Sequence, residues 1–111
     1  MKISEVIDEP ALRARIERVF QFGVDQLEKM LAKWPASQPA PIYTENGVWT
    51  RPRFIWTDWC PGFYAGMMWL AFERTGETKW RQAAEQYTRA LEPRKFDREV
   101  HDLGFIFMTT V

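Results

Sequence analysis

The sequence predicts an all-α chain, and three observations carry that prediction. Apolar residues recur at helical spacing in three separate stretches. Proline or glycine stands at the edges of those stretches, where helices start and stop. The one proline-crowded region, residues 35–58, has room for a small hairpin and no longer strand.

The first helix is the clearest element. Asp8 suits the N-cap, Glu9 suits the positive end of the helix dipole, and Pro10 is tolerated in the first turn. Leu12, Ile16, Val19, Phe20, Leu27, Met30, Leu31 and Trp34 then form one apolar stripe. Gly23 weakens the helix without breaking it, and Pro35 ends it.

Residues 35–58 read as irregular because Pro35, Pro39, Pro41 and Pro52 disfavour helix. Asn46-Gly47, between Ile42-Tyr43 and Val48-Trp49, is the signature of a tight turn. Loops this long in compact domains are usually functional or disordered. Tyr43, Trp49, Phe54, Trp56 and Trp59 argue against disorder.

The second helix is predicted over Pro61 to Thr75. Phe63, Met67, Leu70 and Ala71 share a face, and Tyr64, Met68, Trp69 and Phe72 fill the other sides. A helix apolar nearly all round is expected to be buried. Gly76 supplies a left-handed cap. The third helix, Thr78 to Leu91, has a stripe of Trp80, Ala83, Ala84, Tyr87 and Leu91. The short gap predicts an antiparallel helical hairpin. A charged connection follows Pro93, and its cluster Arg94–Arg98 reads as a solvated helix end. The apolar segment from His101 to Met108 opens a further helix with Asp102 at its N-cap. Its apolar character up to Val111 predicts a helix cut within its first turns, residues 1–111 then being the N-terminal part of a larger domain.

Composition narrows the function. Fifteen basic and fifteen acidic residues cancel, and no basic stripe suits a nucleic acid partner. One cysteine, Cys60, excludes an internal disulfide, and with the single His101 it argues against a zinc site or any other metal. Cys60 reads as a small buried residue rather than a nucleophile. No signal-peptide core and no membrane-spanning run is present, so no membrane partner is expected and a cytoplasmic location is the default. Six Trp and eight Phe are more ring surface than a small domain easily hides. The excess points to a sugar-binding surface or to a core shared with further chain.

Three ordered segments resemble glycoside hydrolase family 88, the unsaturated glucuronyl hydrolases. The first is Thr57-Asp58-Trp59-Cys60-Pro61-Gly62-Phe63, with Gly66 and Trp69 beyond. The second is Glu73-Arg74-Thr75-Gly76-Glu77, with Trp80 and Ala83. The third is His101-Asp102-Leu103-Gly104-Phe105. Cys60-Pro61 departs from the family pattern, which more often has Thr-Asp or Thr-Glu there. The resemblance covers residues 10–111 and implies the first helical hairpins of an (α/α)6 toroid, incomplete in this chain.

The implied reaction removes a 4,5-unsaturated uronic acid from the non-reducing end of a lyase-derived oligosaccharide, such as a glycosaminoglycan fragment, without a cofactor. The enol-ether double bond is hydrated: a proton goes to C4, water adds at C5, and the hemiketal collapses. Ordinary glycosidases instead attack the anomeric carbon with two carboxylates. Asp102 matches the first of the family's two active-site aspartates, and the second would lie beyond Val111. Paired groups lose most of their rate when one is missing, so the chain alone is expected to be inactive. A helix N-cap is the competing role for Asp102, and the two conflict. Backbone donors favour the ionised carboxylate, whereas proton delivery needs the neutral acid. Asp102 could therefore orient substrate or water instead.

His101 would bond the sugar or the carboxylate, against an ordinary exposed loop histidine. Trp59 matches the residue that stacks on the uronate ring, against simple core packing. Trp49 and Trp56 are weaker candidates for stacking. Gly62 and Gly66 read as close-packing positions, and Trp69 and Trp80 as core. Two alternatives remain open: a non-catalytic helical binding or interaction module, and an enzyme like the unsaturated rhamnogalacturonyl hydrolases, which share the toroid. Uncovered apolar faces would make the isolated chain oligomeric or poorly folded.

Overall fold

A computed structural model describes residues 9–51 and 59–110. Asp8, Phe54, Trp56 and the Thr57-Asp58 start of the first motif lie outside the described residues. The described chain is mostly helical: α1 (Pro10–Lys33), a hairpin of β1 (Tyr43–Glu45) and β2 (Val48–Thr50), α2 (Pro61–Thr75), α3 (Thr78–Leu91), a 3-10 turn (Glu92–Phe96) and α4 (Leu103–Phe107).

The densest packing is between α2 and α3. Gly76 ends α2 at φ 71°, a left-handed conformation that costs glycine little, and α3 starts two residues later. The predicted α3 stripe is the buried one: Trp80, Ala83, Ala84, Tyr87 and Leu91. Tyr64, Ala65, Met68 and Ala71 of α2 face it. Tyr64 and Tyr87 meet edge to face at 4.9 Å between ring centroids. The indole N–H of Trp69 donates to the Thr88 hydroxyl at 3.2 Å. Each large apolar side chain buried here contributes about 1.5–3 kcal/mol.

The expectation that α2 is buried all round is corrected. Of its predicted apolar face, Ala71 is buried but Phe63, Met67 and Leu70 are exposed. The α2 surface facing α3 is taken by the other apolar set, and the described residues cover those three only in part.

The N-terminal helix runs from Pro10 and gives way at Trp34-Pro35, as its sequence predicts. Its periodicity is real, yet it contains no buried residue. Val24, Leu27, Met30 and Leu31 lean on the core, while Ile16, Val19 and Phe20 of the stripe stay exposed. Polar ties supplement this thin contact. Glu17 pairs with Arg74 and Glu28 with Lys79. The Tyr87 hydroxyl donates to the carbonyl of Trp34, fastening the end of α1 to α3.

Asn46-Gly47 forms the predicted turn, with φ 50° and 75°. Positive φ at both central residues matches the twist of the flanking strands. Tyr43 pairs with Thr50, Thr44 with Trp49 and Glu45 with Val48. The Arg51 guanidinium donates to the carbonyl of Ala40 at 3.0 Å and closes the hairpin base. The solvated helix end predicted at Arg94–Arg98 is corrected at one residue. Arg94 is mostly covered and pairs with Asp97 at 2.9 Å. The Asp97 carboxylate also accepts the Glu99 N–H at 2.9 Å. These hydrogen bonds, the Glu99 one foremost, hold its pKa below the ordinary carboxylate value.

Candidate active site

The short helix α4 lies along α2 and brings the third motif to the first. Gly62 and Gly66, one turn apart on α2, are both buried. A Cβ on Gly62 would stand 2.5 Å from the Phe105 carbonyl oxygen and from Ile106 Cα. One on Gly66 would stand 2.3 Å from the Thr109 carbonyl oxygen. The two glycines thus let α4 run backbone to backbone against α2, and Ile106 is fully buried there.

This approach assembles three rings. Trp59 and Phe105 are 5.2 Å apart, Phe63 and Phe105 5.6 Å, and Trp59 and Phe63 5.7 Å. Trp59 is half-buried and leans on the core, and its buried indole N–H has no hydrogen-bond partner among the described residues. Such a group costs free energy unless another molecule or further chain supplies an acceptor. Phe105 stood inside a motif without a role, and Phe63 was assigned only to a helix face. The four-residue step from Trp59 to Phe63 was the available signal for the second.

His101 and Asp102 stand immediately before α4. Asp102 occupies the N-cap position, but its side chain makes no cap hydrogen bond. Its carboxylate instead meets His101 Nδ1 at 3.1 Å. The main chain of Asp102 opens the helix by accepting the Phe105 N–H at 3.1 Å. The expected competition between capping and chemistry is thereby relieved, because the carboxylate is not held by helix donors. The His101 side chain is 95% exposed and that of Asp102 42%. Both groups face solvent, three to four residues before Phe105 in the chain.

A larger concavity lies elsewhere. A groove of about 790 Å³ runs between α1, the hairpin and α2. Phe22, Met30, Trp49, Phe63, Met67 and Leu70 are among its lining residues, and Lys29 and Lys33 are the only charged ones among the described residues. Trp49 belongs to this groove, whereas Trp59, His101 and Asp102 do not line it. Cys60 does line it and stands at the N-cap position of α2, only partly buried. The expectation of a buried Cys60 is corrected.

With this geometry in hand, similarity to known proteins can be placed. No family model and no solved structure matches the chain. Two curated proteins do. An unsaturated glucuronyl hydrolase of Formosa agariphila is 38% identical over 48 residues, 43% of this chain and 12% of that protein. An unsaturated glucuronyl hydrolase of a Bacillus species is 35% identical over 54 residues, 46% of this chain and 14% of that protein. The similarity therefore spans less than half of this chain and a small share of each relative. It relates this part of the chain to a short stretch of two proteins named as unsaturated glucuronyl hydrolases. No helix among the described residues is long and apolar enough to cross a membrane.

Proposed function

We propose that this chain carries the substrate-stacking wall and one carboxylate of a glycoside hydrolase acting on unsaturated uronyl oligosaccharides. The observation that carries the proposal is that Phe105 packs on Trp59 while its N–H bonds the Asp102 carbonyl, so that one residue links the indole to the His101-Asp102 turn. The two relatives' names support the reaction class. In this reading residues 1–111 form the N-terminal part of a helical toroid, and the remaining carboxylate comes from another part of the protein.

The chemistry follows from the residue types. The apolar C–H face of a pyranose packs on an indole, and the Trp59 indole N–H, without a partner among the described residues, can donate to a ring substituent. Hydration of the vinyl ether needs a proton delivered to C4 and water directed at C5. Asp102, free of capping bonds, orients substrate or the attacking water, and His101 bonds the carboxylate of Asp102 or the sugar. Collapse of the hemiketal opens the ring to a ketone at C5, and the hemiacetal left at C1 expels the rest of the oligosaccharide, so the hydrated sugar leaves as an open-chain keto acid.

Loss of the double-bond absorbance on an unsaturated uronyl disaccharide tests the reading. The isolated chain is expected to give no turnover, and the protein expressed from its complete gene is expected to turn over. In that protein Asp102→Asn is expected to lower kcat by about 10²-fold or more, the scale of a lost acid–base or orienting group. Turnover by the isolated chain, or an unchanged kcat in Asp102→Asn, would sink the assignment.

A second reading, a non-catalytic interaction module, has the apolar groove in its favour. It expects a cooperative monomer that binds a protein partner and leaves unsaturated uronides untouched.

A further inference from the structure

Gly62 and Gly66 make the same kind of contact, but they meet different parts of the α4 segment. Gly62 meets Phe105 and Ile106, in the turn that follows Asp102. Gly66 meets Thr109, beyond the end of α4. In both cases the opposing atoms are backbone, so no flexible side chain can swing away. The other described glycines differ. Gly23 has open space where a Cβ would stand, and Gly104 meets only the far end of Met108 at 3.9 Å.

We infer that Gly62 is a positioning residue: it sets the depth of α4 against α2 and so fixes the His101-Asp102 turn relative to Trp59. The inference rests on the functional reading above for what the positioning serves, but not for the positioning itself. The chain of contact is short. Gly62 meets the Phe105 main chain, the Phe105 N–H bonds the Asp102 carbonyl, and the Phe105 ring packs on Trp59. A methyl at position 62 must push the Phe105–Ile106 backbone outward by about 1 Å to restore ordinary contact, a misplacement able to cost about 10²-fold in rate. A methyl at position 66 pushes at Thr109, which reaches the first turn of α4 only through the hydrogen bond its hydroxyl donates to the Phe105 carbonyl, a softer link than direct backbone contact. The two glycines are thus expected to contribute alike to packing and unlike to the site.

The test compares Gly62→Ala, Gly66→Ala and Gly23→Ala in the protein expressed from its complete gene. Thermal unfolding is followed with the NMR resonances of the Trp59 indole N–H and the His101 ring. Both Gly62→Ala and Gly66→Ala are expected to melt at lower temperature. Only Gly62→Ala is expected to move both resonances, and Gly23→Ala is expected to move neither. Unmoved resonances in Gly62→Ala, or equal movement in Gly66→Ala, overturn the inference. Where the wild type turns over an unsaturated uronyl disaccharide, Gly62→Ala should lower kcat by about 10²-fold with KM changed far less, while Gly66→Ala stays within about threefold. Equal kinetic losses would mark mere packing and also overturn it. A wild type without turnover defeats the functional reading alone, and the resonances still decide the positioning. Should Gly62→Ala not fold, Phe105→Leu replaces it. That variant should move the Trp59 indole and leave His101 in place, because the glycine contact is intact. Movement of His101 there would show that the ring, and not Gly62, sets the turn.

Discussion

Helices α1 and α3 both carry an apolar stripe, and the two stripes have opposite fates. In α3 the stripe is sealed: Trp80 and Ala84 are fully buried, and Ala83, Tyr87 and Leu91 nearly so. In α1, ten residues longer by the bounds Pro10–Lys33 and Thr78–Leu91, no residue is buried, and Val19 and Phe22 are 69% and 64% exposed. Periodicity fixes which residues share a face. Whether the face is covered depends on what lies opposite, and that is a property of the whole assembly. The small alanines of α3 let α2 come close along its length, whereas α1 touches the hairpin mainly through Val24, Leu27, Met30 and Leu31. The helical hairpin is therefore the stable unit of the described chain, and α1 is its lightly held neighbour.

The largest contrast is expected from removing apolar bulk on each helix. Trp80→Ala should cost about 3–5 kcal/mol, because a fully buried indole leaves a cavity that its neighbours fill only in part. Phe22→Ala should cost close to nothing. Urea unfolding of the two variants measures the difference directly, and similar losses would show that α1 is covered in solution. The same exposure predicts self-association. The isolated chain should sediment as oligomers, and Val19→Glu with Phe22→Glu should shift it toward monomer. A monomeric wild type with a sharp thermal transition would contradict this.

How much of this was legible in the sequence follows the same division. The bounds of α2 and α3, the left-handed Gly76 and the Asn46-Gly47 turn are local consequences of residue type, and each stands where the sequence predicts it. The burial of α2 was not legible on its exposed side. Phe63, Met67 and Leu70 carry the same apolar signal whether or not another element meets them. At the site, the motifs marked Trp59, His101 and Asp102, but not the packing of Phe105 on Trp59. That packing accompanies the approach of Gly62 to a backbone more than forty residues away in sequence, which spacing alone does not encode. The side chain of Asp102 illustrates the limit. Its place before α4 predicts a cap, and the adjacent imidazole takes the carboxylate instead.

An intermediate effect is expected where α1 is fastened to the hairpin. Tyr87→Phe removes the hydrogen bond to the Trp34 carbonyl and should cost about 1 kcal/mol, somewhat more if that carbonyl finds no water. The same phenol gives the fold an alkaline limit. Burial raises the Tyr87 pKa from 10.0 to about 12, and burial likewise raises that of Tyr64. The protonated form is favoured in the folded state, so the contribution is intact below pH 10, the unfolded value. It is lost as pH rises from there through the folded value. The melting temperature should therefore fall between about pH 10 and 12, and more gently in Tyr87→Phe. An identical decline in both proteins would exclude Tyr87 as a source.

The smallest expected change has the opposite sign. Gly23 sits in the middle of α1 with nothing within 4 Å of the place a Cβ would occupy, and its φ is that of an ordinary helical residue. Gly23→Ala should stabilise the helix by about 0.5–1 kcal/mol, since alanine loses less backbone entropy on folding and meets no obstacle. This gain reaches global stability only as far as α1 unfolds together with the hairpin. If α1 detaches first, hydrogen exchange will slow at the α1 amides while the urea midpoint of the α2–α3 core stays fixed. If both change together, α1 and the hairpin form one cooperative unit. The substitution thus measures how strongly the exposed helix is coupled to the buried one.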